Sequence, residues 1–199
     1  MIAKLIPISE VFHSVQGEGY HSGRRALFVR FSGCNLQCPW CDTDHSTKEK
    51  LCTDDILRIG LSDKSRLAVL TGGEPCISPF FSVVASKLSE SGFFVSVETN
   101  GTVPIPGKVN WITLSPKPPD YFVEPRVLHR AHECKFVVDS KFDFRVLDSV
   151  LANRRIGAAL YLSPEWSDYK ANVKRILEYQ KINPRWKLCL QTHKLIGER

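Results

Sequence analysis

Cys34, Cys38 and Cys41 stand at the spacing C-x3-C-x2-C, directly after the apolar run Leu27-Phe28-Val29-Arg30-Phe31. Thiolates on one short loop can converge on a soft metal centre, and iron–sulfur clusters are held by cysteines of this kind. A four-iron cluster has four corners, so three protein ligands leave one iron open for something else to bind, as a catalytic metal keeps an open position. The spacing therefore points to chemistry more than to scaffolding. His45 supplies a rival account, because Cys34, Cys38, Cys41 and His45 would make a closed Cys3His zinc site in a non-catalytic protein.

Other clusters of polar and glycine residues punctuate the chain. Gln16-Gly17-Glu18-Gly19 is either a plain turn or a loop whose glycines let the backbone approach a ligand while Gln16 and Glu18 read its polar edge. Arg30, just before the cysteine loop, is either paired with a structural acid or aimed at an anion, since its planar fork suits a carboxylate or phosphate. Asp42-Thr43-Asp44-His45 offers oxygen ligands to a hard cation. Thr71-Gly72-Gly73-Glu74-Pro75 exposes main-chain donors and acceptors, although a simple turn would look similar. Cys52, Cys76, Cys134 and Cys189 read as ordinary buried or half-buried thiols. His13, His21, His129 and His132 read as structural or solvated, and Asp139 and Asp143 as helix caps.

The elements that must position these groups follow from apolar patterning. Strands are expected at 6–13, 25–32, 67–70, 93–97, 109–114, 133–138, 158–162 and 186–190, and helices at 53–61 (capped by Thr53), 79–91, 142–154 and 169–180. Strands alternating with helices argue a parallel sheet, whose ligands bind at the carboxyl ends of the strands. Glu98-Thr99-Asn100-Gly101, Ser115-Pro116-Lys117, Ser163-Pro164-Glu165 and Gln191-Thr192-His193-Lys194 each follow a strand and would share one rim with the cysteine loop. A closed eight-unit barrel takes about 250 residues. The expectation is an α/β fold, an incomplete, TIM-like barrel of about six parallel strands with few helices, and residues 1–199 forming a single domain.

Composition bounds the rest. With 199 residues and 43% hydrophobic content, the chain can bury one sizeable core. Seven cysteines cannot all pair, and with no secretory segment they read as thiols and ligands in a reducing cytoplasm. No apolar run approaches the ~20 residues of a membrane span, so no membrane partner is expected. The net charge of +6 is scattered, with its densest group, Lys170, Lys174 and Arg175, on a solvated helix face. It favours an anionic small molecule over nucleic acid.

With these residues in hand, the chain resembles the radical S-adenosylmethionine (SAM) superfamily. Its cysteine signature stands as Cys34, Cys38, Trp40 and Cys41, and its Gly-Gly-Glu motif as Gly72-Gly73-Glu74-Pro75. Within the superfamily it is similar to the 7-carboxy-7-deazaguanine synthase family of queuosine biosynthesis. That match runs over Phe12 to Gly19, Cys41-Asp42-Thr43, Glu98 to Gly101, Ser115 to Lys117 and Gln191 to Lys194. The resemblance implies a radical SAM fold and a carbon–nitrogen lyase with a [4Fe–4S] cluster on Cys34, Cys38 and Cys41. A deoxyadenosyl radical would take hydrogen from C6 of 6-carboxy-5,6,7,8-tetrahydropterin, after which the ring contracts, ammonia leaves and 7-carboxy-7-deazaguanine forms. It further implies that SAM is bound by Gly73, Glu98, Ser115, Pro116, Lys117, Ser163, Pro164 and Glu165. The pterin would be held by Gln16, Gly17, Glu18, Arg30, Thr71, His193 and Arg199, and Mg2+ by Thr43. A homodimer fed by a flavodoxin or ferredoxin-type electron donor is implied as well. The rival within the superfamily is an activase that installs a glycyl radical on a partner protein, which leaves Gln16 to Glu18 and Gln191 to Lys194 without a task.

Overall fold

The computed structural model describes residues 4–152 and 157–198. Among these, nine strands form one sheet: β1 (Ile6–Val15), β2 (Arg25–Phe31), β3 (Glu49–Leu51), β4 (Leu67–Gly72), β5 (Phe94–Thr99), β6 (Trp111–Leu114), β7 (Glu133–Val138), β8 (Ala159–Pro164) and β9 (Trp186–Leu188). Their lateral order is β3-β1-β2-β4-β5-β6-β7-β8-β9. From β2 onward every neighbouring pair is parallel, while β1 runs antiparallel to both β2 and β3. Each crossover therefore advances to the same side, and the sheet stays open between β3 and β9. The expected incomplete barrel is correct. It holds seven parallel strands rather than about six, because the short β9 also pairs, and the antiparallel β1 and β3 extend one edge.

Among the described residues six α-helices connect or flank the strands: α1 (Thr53–Leu61), α2 (Phe81–Glu90), α3 (Pro125–Arg130), α4 (Val146–Leu151), α5 (Tyr169–Ile182) and α6 (Thr192–Leu195). The cap of α1 is Cys52 rather than Thr53, since the Cys52 N–H and thiol both donate to Asp55 Oδ2, at 3.2 and 2.9 Å. The helix expected from residue 142 begins only at Val146. Before it, the Phe142 carbonyl accepts from Arg175 at 2.9 Å and the Asp139 carbonyl also accepts from Arg175, so this backbone is tied to α5 instead. The expected end of that helix at Arg154 lies outside the described residues. Asp139 and Asp143 do not cap α4, whose N-cap is Arg145 without a side-chain cap bond; they accept from turn N–H groups before the helix instead, of Lys141 and Arg145, both at 3.0 Å.

Strand parity separates the two faces of the sheet. Leu27, Val29, Phe31, Ala68, Leu70, Val95, Val97, Ile112, Leu114, Cys134, Phe136, Val138, Leu160 and Leu162 join one core cluster with Phe81, Val84 and Leu88 of α2 and Ile176 of α5. The alternate residues face the concave side, and many of them are polar: Arg30, Thr71, Ser96, Glu98, Thr113, Glu133, Lys135 and Ser163. A buried polar row has to find partners. That requirement makes the concave face the place to look for a site.

Candidate active site

The cysteine loop leaves β2 and is closed at its base, where Gly33 N donates to the His45 carbonyl at 2.8 Å. The Gly-Gly-Glu turn after β4 docks directly on it, with Glu74 N donating to the Gly33 carbonyl at 3.0 Å. A Cβ on Gly73 would overlap the Gly33 carbonyl and approach the Cys34 Cβ to 2.7 Å, so only glycine allows this contact. Glu74 itself faces inward and is fully buried. Its carboxylate accepts from Cys76 N (3.0 Å), Thr99 Oγ1 (2.8 Å) and Asn100 N (2.7 Å). Asn100 in turn donates to Asn35 Oδ1 at 3.0 Å. The three strand ends β2, β4 and β5 are thus locked around Cys34.

All three cysteines are free thiols and face the same cavity of about 970 Å³. Burial pushes the Cys34 and Cys38 thiols up, and the Lys117 ammonium pulls Cys38 back. Lys117 lies over the Trp40 ring at 5.4 Å and donates to Ser115 Oγ at 2.6 Å. Burial pushes its own pKa down, against the raising influence of Cys38, Glu98, Glu74 and Cys41. A cation beside several negative or ionisable groups suits a cluster held by deprotonated thiols and an anionic ligand next to it. The donor set and the glycine cradle fit the group expected here. Among the described residues, no three His, Cys, Asp or Glu side chains are grouped to hold a single metal ion. His45 contributes its backbone carbonyl to the base of the loop.

Away from the loop, Arg30, Thr71, Glu98, Thr113 and Glu133 run across five adjacent parallel strands. Arg30 pairs in register with Thr71, and Thr113 with both Glu98 and Glu133. Side-chain hydrogen bonds link two pairs within this row. Glu98 accepts from Thr71 Oγ1 at 3.0 Å and from Gln16 Nε2 at 2.9 Å, and Glu133 accepts from Thr113 Oγ1 at 2.6 Å. Arg30 pairs with Glu10 at 3.2 Å, the structural acid posed as one of its two alternatives, and its side chain also lines the cavity. Glu133 anchors the 16–24 loop by accepting from Tyr20 N at 2.8 Å, and burial pushes its carboxyl pKa up.

The C-terminal turn α6 also borders the cavity. Thr192 N and Oγ1 both donate to the Gly17 carbonyl at 3.0 Å, and Lys194 pairs with Asp42 after the cysteine loop. Burial pushes the His193 imidazole pKa down, with Lys194 and Lys135 adding to the effect, so it is neutral near pH 7. A Cβ on Gly17 would overlap the His193 ring and come within 2.7 Å of its backbone nitrogen. Gly17→Ala should therefore displace the turn. A shift of about 1 Å can cost roughly 100-fold in rate, so kcat/KM is expected to fall by up to that factor while the melting temperature changes little. Steady-state kinetics with thermal unfolding checks this.

Of the expected site residues, Gln16, Gly17, Glu18, Arg30, the three cysteines, Thr43, Thr71, Gly73, Glu98, Ser115, Lys117, Ser163, Pro164, Glu165 and His193 line this one cavity. Pro116 does not line it, and Arg199 lies outside the described residues. Three residues with no earlier assignment belong to the site: Lys135 and Thr113 line the cavity, and Glu133 lies beneath it. Their signal was a charged or polar side chain inside an apolar strand, as at Cys134-Lys135-Phe136.

The chain is 37% identical to the 7-carboxy-7-deazaguanine synthase of Haemophilus influenzae over 198 residues, covering 96% of this chain and 92% of that one. The chain belongs to the 7-carboxy-7-deazaguanine synthase family. No protein-family model matches the chain. The crystal structure of QueE from Escherichia coli superposes with a TM-score of 0.79 at 30% identity, covering 94% of this chain and 93% of that one. Streptococcus suis SuiB bound to S-adenosylmethionine reaches a TM-score of 0.54 at 16% identity, over 82% of this chain and 51% of that one, a likeness of fold alone. As a member of the synthase family the chain is a radical SAM enzyme of the queuosine pathway that acts on a small molecule. Among the described residues no helix is long and apolar enough to cross a membrane.

Proposed function

We propose that the chain converts 6-carboxy-5,6,7,8-tetrahydropterin to 7-carboxy-7-deazaguanine with loss of ammonia. The observation that carries this reading is one cavity lined both by three free thiols with a glycine cradle and by Arg30, Thr71, Glu98, Gln16 and His193. When bound on Cys34, Cys38 and Cys41, a [4Fe–4S] cluster supplies the electron that cleaves SAM and starts the radical ring contraction. Gly73 offers its backbone to SAM, Lys117 offers its ammonium to the SAM carboxylate, and Ser115 holds Lys117 in place. Ser163, Pro164 and Glu165 form the adjoining wall. Pro116 acts by shaping the Ser115 to Lys117 segment.

Arg30 faces the substrate carboxylate with a planar fork suited to it. Thr43, at the cavity wall beside Asp42, would offer a hard oxygen to Mg2+, which would supply positive charge against an anionic substrate. Glu98 stands between the two ligands. Its oxygens are already held by Gln16 and Thr71, so it fixes the pterin wall while facing the SAM ribose. Neutral His193 is a hydrogen-bonding group for the pterin and keeps water out. Residues 1–199 act as one domain, in a cytoplasmic homodimer reduced by flavodoxin or a ferredoxin-type donor.

An anaerobic assay with SAM, reductant, Mg2+ and the carboxytetrahydropterin tests this, read by formation of the deazaguanine. Deoxyadenosine release that ignores the pterin and needs a partner protein would favour the activase instead. Arg30→Ala and His193→Ala should each lower kcat/KM for the pterin by about 10- to 100-fold, the cost of a lost charge-assisted or buried hydrogen bond. Slow SAM cleavage should persist in both. Unchanged pterin turnover would refute the pocket assignment.

A further inference from the structure

Lys135 sits near the middle of β7 between Cys134 and Phe136, both fully buried, and is itself only 8% exposed. Its ammonium pairs with the Glu18 carboxylate, and the other Glu18 oxygen accepts from Gln191 Nε2 at 2.7 Å. Both members of the pair line the cavity. Burial pushes the Lys135 pKa down. A buried ion pair is often no more stabilising than apolar residues of the same volume, so its presence in a cavity wall points to recognition.

We infer that the Lys135–Glu18 pair reads the lactam edge of the pterin, Lys135 donating to O4 and Glu18 accepting from N3–H, which makes Lys135 a specificity-determining residue. This rests on the pterin reading given above. A lactam presents an acceptor beside a donor, and the pair presents a donor beside an acceptor in the complementary order. Lys135 on β7 lies four strands from Arg30 on β2 in the sheet order, and both side chains line the same cavity, so one ligand can reach both walls. Gln191 holds Glu18 from the C-terminal side, so the acceptor stays aimed when the ligand arrives.

A 2,4-diaminopteridine reverses both groups of this edge: N3 becomes an acceptor facing Glu18, and the 4-amino group a donor facing Lys135. Sites built to hydrogen-bond one polar pattern reject the wrong one strongly, so the parent protein should prefer 6-carboxypterin over 2,4-diamino-6-carboxypteridine by at least about 100-fold. Binding of both is measured by fluorescence, anaerobically, on the cluster-loaded protein with SAM and Mg2+. Lys135→Met should reduce the preference to less than about 10-fold, mainly through lost pterin affinity, with SAM affinity unchanged. Because this leaves Glu18 buried without its cation, Glu18→Gln combined with Lys135→Met gives a second, uncharged variant in which the preference should also be lost. Retention of the parental preference in either folded variant would overturn the assignment. So would a loss confined to SAM affinity. A parent protein that binds neither pteridine would overturn the pterin reading along with it, a result distinct from intact binding without discrimination.

Discussion

Replacing any one of Cys34, Cys38 or Cys41 by Ala is expected to abolish product formation and to lower bound iron, while the far-ultraviolet circular dichroism stays that of the parent. Loss of a group that merely supports a metal ligand costs about 10- to 100-fold, and loss of a ligand should exceed that. The fold should survive because none of the three side chains belongs to the buried core: Cys34 and Cys38 are half-buried and Cys41 is exposed. The loop that carries them is held by backbone bonds at Gly33 and by Asn35, which donates to Thr102 Oγ1 at 2.8 Å and accepts from Asn100. Cys52, Cys76, Cys134 and Cys189 provide the internal comparison. Cys189 Sγ accepts from Gly19 N at 3.1 Å and Cys134 packs in the core, so their replacement by Ala should leave iron content unchanged. Iron equal to the parent's in a Cys38→Ala variant would exclude the three-cysteine centre.

The rim of the site was legible in the sequence because each motif there breaks an apolar strand. Cys34 to Cys41, Gly72 to Pro75, Glu98 to Gly101 and Ser115 to Lys117 all follow a run that reads as a buried strand, and in a parallel sheet those ends must gather on one side. The floor was harder to read. Thr113, Glu133 and Lys135 lie within strands, where a polar residue among apolar ones looks the same whether it faces a ligand or a structural partner. Parity resolves this only when the register is known. Once Thr113 is opposite Glu133, and Arg30 opposite Thr71, the polar residues fall into one row. Helix ends were missed where side chains from distant elements claim the backbone, as Arg175 does at Asp139 and Phe142. No local propensity records such a bond. The edge strand β3, three residues long and exposed at Glu49 and Lys50, carries too little apolar pattern to announce itself.

Glu74→Ala should be the most destabilising single change among the site's supports. The Glu74 carboxylate is fully buried and accepts from two backbone N–H groups and one hydroxyl. Alanine would leave all three donors without their acceptor, and each unsatisfied buried group costs about 1–3 kcal/mol, so a loss of roughly 3–5 kcal/mol is expected after partial relaxation. That is a large share of the ~5–15 kcal/mol by which a domain is stable. The same change frees Asn100, whose side chain holds Asn35 in the cysteine loop, and it releases the turn that presses Gly73 against Cys34. Stability and cluster binding should therefore fall together. Glu74→Gln, which keeps one carbonyl oxygen as an acceptor and turns the other position into a donor, should fall between the parent and Glu74→Ala in both. Urea unfolding midpoints at constant m, read beside iron content, measure the two effects. A Glu74→Ala protein as stable as the parent would show that the three donors find other acceptors, and the account of how β4 and β5 hold the cysteine loop would then be wrong.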